Sequence, residues 1–185
     1  AAFDIKYLAL ILPAGLLLGL GLSFLLGRAP FEAVLRRLER PSDRGFIAPV
    51  MLSGAVLVLV AGLWVLRDQP VTDDERVYLF QADMLSHGQL YSRSYPLPDF
   101  FNNTFIINNG KWYGKYPPGH PLALLPGIVV GFPRPMPAIL AALNLLLFYR
   151  LALRFFSVRT ARAAALLLLA SPFFLLTGGT LLSHM

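Results

Sequence analysis

Three consecutive acids, Asp73, Asp74 and Glu75, follow a long apolar run that ends near Leu66. A cationic and aromatic stretch comes later: Gly110-Lys111-Trp112-Tyr113-Gly114-Lys115-Tyr116-Pro117-Pro118-Gly119-His120-Pro121. Carboxylates can take protons, and lysines among aromatic rings can hold anions close to a lipid boundary. Placed together at the mouth of a membrane helix, such a set suits chemistry on a substrate that is itself held in lipid.

The acids need an element to present them. Thr72 followed by Glu75 has the capping-box spacing, which predicts a helix running through Tyr78, Leu79, Ala82, Met84 and Leu85 to a stop at His87-Gly88. Its apolar edge suits a helix lying on a membrane surface. Asp73 and Asp74 fall in its first turn, where free backbone amides and the helix dipole attract negative charge, so plain capping duty is an alternative for both.

Composition sets the class. With 56% hydrophobic and 14% charged residues in 185, the chain has too little polar material to coat a soluble globule and reads as an all-α integral membrane protein. Tyr7 to Gly27 and Phe46 to Leu66 carry no charge, and Ala163 to Leu182 is a third stretch of about the 20 residues that cross roughly 30 Å of hydrocarbon. Met136 to Phe156 is a fourth span, with Arg150 and Arg154 snorkelling to headgroups from its last turns. Pro117 to Phe132 is apolar but short and is interrupted by prolines and glycines, so it reads as a juxtamembrane or re-entrant helix.

The net charge of +6 is unevenly placed. Arg28, Arg36, Arg37, Arg40 and Arg44 follow the first span, and Arg150, Arg154, Arg159 and Arg162 surround the end of the fourth. By the positive-inside bias both clusters are cytoplasmic, which puts the outer loop, 67–120, on the other side together with Ser183-His184. The arginines read as helix anchors for anionic headgroups, and no nucleic-acid partner is expected because they line no single polar face. Residues 1–45 read as an extra N-terminal span, not a cleaved signal, plus a basic loop carrying a short amphipathic helix, Phe31 to Leu38. With no cysteine, disulfides and thiolate metal sites are excluded. The chain stops as a span emerges, which suggests a piece of a longer protein.

At this point the pattern resembles a family. Asp74-Glu75, then Tyr78 and Ala82, then Gly110-Lys111-Trp112-Tyr113 leading to Lys115-Tyr116-Pro117-Pro118-Gly119, is similar to the first outer loop of GT-C glycosyltransferases. The protein O-mannosyltransferases and the aminoarabinose transferases that modify lipid A have the most similar pattern. Asn144 to Phe156, the arginines Arg154, Arg159 and Arg162, and Ala170-Ser171-Pro172-Phe173-Phe174 followed by Leu182-Ser183-His184 resemble later membrane segments of that group. The likeness covers residues 46–185, which would be the N-terminal part of a multi-span GT-C helical bundle with juxtamembrane helices on a long outer loop.

That resemblance implies an inverting transferase that moves a sugar from a polyprenyl-phosphate donor to a lipid, glycan or protein hydroxyl on the outer face. It implies Asp74 as the base, with Glu75 beside it in the catalytic pair to position acceptor or base; a solvated surface glutamate is the alternative for Glu75. Lys115 would hold the departing phosphate, with Lys111 and Arg76 behind it; Tyr78, Tyr116 and His184 complete the expected substrate-binding set. Here Tyr116 stands between the lysine and the two prolines, whereas in the aminoarabinose transferases lysine directly precedes them, so Lys115 can point elsewhere. Tyr78 is placed to orient Asp74; Tyr78, Trp112, Tyr113 and Tyr116 equally suit an interfacial aromatic belt.

No organic cofactor is expected. Outer-loop carboxylates are compatible with a divalent ion, but His87, His120 and His184 form no short-spaced ligand pair. Asn102-Asn103-Thr104 has the glycosylation-acceptor pattern and reads as a turn. A transporter would place ionisable groups inside its spans, which these spans lack, and a non-catalytic multi-span subunit remains the other class.

Overall fold

The computed structural model describes residues 41–94, 97 and 103–183. The expected span Tyr7 to Gly27, the arginines Arg28 to Arg40, the helix Phe31 to Leu38, Asn102 and His184 lie outside the described residues. Asp43–Met185 forms one compact unit. Two of its helices are long and apolar enough to cross a membrane, which makes this a membrane protein built mainly of helices.

The first is α1, Asp43–Val60, which widens into a π-helical turn, Ala61–Val65. Together they make 23 residues, about 35 Å at 1.5 Å per residue. In the π turn the Leu66 amide reaches back five residues to the Ala61 carbonyl at 2.9 Å. The turn leads into Arg67 and Asp68, both left-handed at φ 54° and 55°. The helix α2, Asp73–Ser86, follows, with Thr72 as N-cap and both halves of the capping box formed.

A three-stranded antiparallel sheet comes next, in an all-α reading that contained no sheet. Strands β1 (Ser92–Arg93), β2 (Ile106–Asn108) and β3 (Lys111–Gly114) lie in the order β1-β3-β2. The β2–β3 hairpin turns at Asn109-Gly110, with Gly110 at φ 93°. Gln81 of α2 pins the sheet to the helix by donating to the carbonyls of Gly114 (3.2 Å) and Tyr116 (2.9 Å). Gly114 has to be a glycine for this, because a Cβ there would stand 2.5 Å from the Gln81 Cδ.

Helix α3, Gly119–Val129, covers only about 16 Å and is too short to span. The chain returns at Gly131 (φ 73°) and enters the second long helix, α4, Pro135–Phe155. Helices α1 and α4 pack closely: Leu145, fully buried, lies over Gly54, where a Cβ would come within 2.3 Å of its Cδ1.

The expected single span from Ala163 to Leu182 is broken. Instead α5, Val158–Leu169, and α6, Pro172–Gly179, meet at a bend of 54°. Ser171 caps α6 through the Phe174 amide, and Pro172, which has no N–H to donate, takes the first helical position.

One arginine also departs from the reading. Arg150 and Arg154 are exposed on the last turns of α4, but Arg162 is only 2% exposed and anchors no headgroup. Its Nη2 donates to Asp43 Oδ1 at 2.8 Å and its Nε to the Tyr149 hydroxyl at 3.2 Å; Tyr149 in turn donates to Asp43 at 2.8 Å. The guanidinium also lies 5.1 Å over the Phe46 ring. Three helix ends are thus joined by one cation, whose burial is offset by hydrogen bonds to a carboxylate and a phenol. Replacing Arg162 by Ala is expected to destabilise the protein by about 2 kcal/mol, and Arg162→Lys to recover only part of that because an ammonium lacks the planar fork. Thermal unfolding in detergent measures both; an unchanged midpoint for Arg162→Ala would show the cluster to be incidental.

Candidate functional site

Adjacent positions in the first turn of α2 point about 100° apart, so the two expected catalytic acids have different surroundings. Glu75 is fully buried. Its Oε1 accepts from the amides of Val71 (3.0 Å) and Thr72 (3.3 Å), and its Oε2 from the amide of Leu181 at 2.9 Å. A fully buried carboxylate that accepts from backbone amides on both oxygens is a structural tie. Asp74 is half-buried, and its Oδ1 accepts the Tyr116 hydroxyl at 2.5 Å. Among the described residues nothing donates to Oδ2, so one oxygen is fixed and the other is available.

Tyr116, and not Tyr78, therefore orients Asp74. The Tyr78 hydroxyl instead shares a hydrogen bond with Ser183 Oγ at 2.9 Å. Tyr78 lies between Tyr116 (ring centroids 5.0 Å) and His120 (4.8 Å, edge to face), and His120 Nε2 meets the Leu181 carbonyl at 2.8 Å. The aromatic run Tyr116-Tyr78-His120 leads from Asp74 to a groove of about 370 Å³. His120 and Ser183 stand in the wall of that groove, and Pro137, Leu140, Asn144 and Leu147, one face of α4, form its floor. From Pro137 to Leu147 the groove follows α4 for about 15 Å, inside a span.

The expected cations are distributed differently. Lys115 stacks its ammonium 3.9 Å over the Phe105 ring and 5.2 Å over that of Tyr116, which places it behind the phenol that holds Asp74. Lys111 sits over Tyr91 at 4.2 Å, and Arg76 makes an exposed ion pair with Asp73 at 3.6 Å. The structure thus gathers Asp74, Tyr116, Tyr78 and, behind them, Lys115, while Lys111 and Arg76 are tied elsewhere on the surface. His87 bonds back to its own helix at the Asp83 carbonyl, and among the described residues no three His, Asp or Glu side chains converge as ion ligands.

Three residues entered through the structure. His120 stands in the groove wall against Tyr78, and its clue in the sequence is its place directly after the two prolines and glycine. Asn144 is the one polar residue in the middle of α4. Arg134, 3% exposed, donates to Asp68 Oδ1 at 2.7 Å and to the Gly179 carbonyl at 2.9 Å, pinning α6 to the turn after α1; its position between Pro133 and Pro135 was the signal.

Burial, together with the Asp74 carboxylate accepting its proton, pushes the Tyr116 hydroxyl up from 10.0 to about 12. Because the folded state holds this proton more tightly than the unfolded one, the stability it confers is complete below pH 10.0 and is lost as pH rises through about 12. Alkaline titration followed by phenolate absorbance is expected to show one tyrosine ionising near pH 12, and Tyr116→Phe to delete that step; a titration identical to wild type would refute the contact with Asp74. The chain matches no family model, no curated protein and no solved structure, which leaves this geometry to carry a functional reading.

Proposed function

We propose that this chain carries the acceptor-activating part of a GT-C type membrane glycosyltransferase, in which Asp74 is the base and a polyprenyl-phosphate sugar is the donor. The observation that carries the reading is the connection between a half-buried carboxylate with one available oxygen and, through Tyr116, Tyr78 and His120, an apolar groove that descends a membrane span. A polyprenyl tail needs an apolar channel inside the bilayer, and a sugar acceptor needs a base at its rim. The resemblance of Asp74-Glu75 and Lys115-Tyr116-Pro117-Pro118 to the GT-C outer loop points the same way.

In the step, the acceptor O–H gives its proton to Asp74 Oδ2 as its oxygen forms the new bond to the anomeric carbon. The bond from that carbon to the phosphate oxygen breaks, and the lipid phosphate leaves with the electron pair and inversion of configuration. Tyr116 keeps Oδ1 engaged so that Oδ2 faces the acceptor, and orientation of this kind lowers the barrier by avoiding reorganisation during proton transfer. Lys115, already against the Tyr116 ring, would offset the charge of that phosphate.

In this reading the face lies away from the cytoplasm, which the positive-inside bias supports because Arg150, Arg154 and Arg159 gather at the opposite end of α4. In membranes holding the full-length chain and polyprenyl-phosphate sugars, Asp74→Asn is expected to lower transfer by about 10² or more with normal membrane insertion. Transfer at the wild-type rate would reject Asp74 as the base.

A further inference from the structure

The backbone of Leu181 is held from both sides. Its N–H donates to Glu75 Oε2 at 2.9 Å, and its carbonyl lies 2.8 Å from His120 Nε2, which must carry the ring proton to donate there. The Leu181 side chain is 1% exposed and packs into a small core with Tyr78, Ala82 and Leu124. The next two residues, Leu182 and Ser183, form a wall of the groove, with Ser183 Oγ on the Tyr78 hydroxyl. Helix α6 has already ended at Thr180, whose hydroxyl accepts from the Leu182 amide at 3.3 Å, so no helical ladder fixes this wall.

The residue type at position 75 follows from this. A helix cap alone is served by Glu or Gln, because one side-chain oxygen suffices for it. Here Oε1 accepts from Val71 and Thr72 while Oε2 accepts from Leu181. An amide offers a single acceptor oxygen and would turn its NH₂ toward one of these donors. Only a carboxylate completes the cap and holds Leu181 together.

We propose that Glu75 and His120 are positioning residues: they clamp the Leu181 backbone at its N–H and its carbonyl and thereby set the Leu182–Ser183 wall of the groove, and Glu75 serves the reaction without touching substrate. The consequence for transfer rests on the proposed donor; the clamp itself does not.

The test uses the full chain, whose residues 1–185 contain no cysteine, with Leu182→Cys introduced as a reporter and a water-soluble maleimide as the probe. Glu75→Gln, which retains the cap, and His120→Phe, which retains the ring against Tyr78, are each expected to speed labelling roughly tenfold, as loss of one well-made buried hydrogen bond allows. A cysteine at Leu124 stays unlabelled in the same variants and reports that the core is intact. Asp74→Asn is expected to leave Leu182→Cys labelling unchanged. In transfer assays Glu75→Gln raises KM for the polyprenyl-phosphate donor and does not lower kcat. Labelling that stays at the wild-type rate in both variants overturns the clamp. Faster labelling with a collapsed kcat and unchanged KM overturns the positioning role and puts Glu75 in the chemical step. If the wild-type chain transfers no sugar, the proposed function falls while the labelling still decides the clamp.

Discussion

Glu75 joins parts of the chain 106 residues apart, and it does so with no exposed surface. An ionised carboxylate out of contact with water is costly unless its oxygens meet donors, and here backbone amides supply them on both sides. That requirement makes the tie specific. The start of α2 must lie against the segment that leaves α6, and any other register would leave either the carboxylate or the Leu181 amide unmet. The groove wall, the hydroxyl pair Tyr78–Ser183 and the His120 contact all follow from this register. Asp74, one position earlier, is then carried against the Tyr116 hydroxyl.

The remainder of the bundle is arranged to hold that register steady. At one end Arg162 gathers α1, α4 and α5; at the other Arg134 gathers the turn after α1 and the end of α6. Between these, the backbones approach closely: a Cβ at Gly62 would stand 2.9 Å from the Gly179 carbonyl, and one at Gly179 would stand 2.9 Å from the Gly62 amide. The π turn widens the helix where this contact is made, and small residues let the two backbones meet as membrane helices commonly do. The bend at Ser171-Pro172 brings α6 across to that contact; a straight continuation of α5 would follow a different line.

How far the sequence could be read depended on the range of the interaction. Thr72 and Glu75 are three residues apart, so the start of α2 was legible as a local capping pattern, and the length of Pro117 to Phe132 announced a helix too short to span. The second use of Glu75 was not legible, because nothing local distinguishes a carboxylate that caps from one that caps and also grips a distant amide. Arg162 and Asp43 are 119 residues apart, and an arginine beside a span looks the same in sequence whether it meets headgroups or a buried partner. The broken third span was hidden differently. Ser171-Pro172 is a strong helix-start signal, but averaging hydropathy over the apolar run from Ala163 to Leu182 conceals a stop inside it. The strands of the small sheet have two to four residues each, too few for an alternating pattern to emerge.

The division of labour between Asp74 and Glu75 follows from side-chain geometry. At the third helical position a glutamate is long enough to fold back over the helix start with one oxygen and still present the other to a neighbouring segment, whereas an aspartate at that position would reach one or the other. At the second position the shorter aspartate has fewer rotamers to lose, and a single phenol is enough to fix it. The longer acid therefore supports the architecture and the shorter one keeps an oxygen available beside Tyr116, and exchanging them would leave a buried amide unmet and a flexible carboxylate against the phenol.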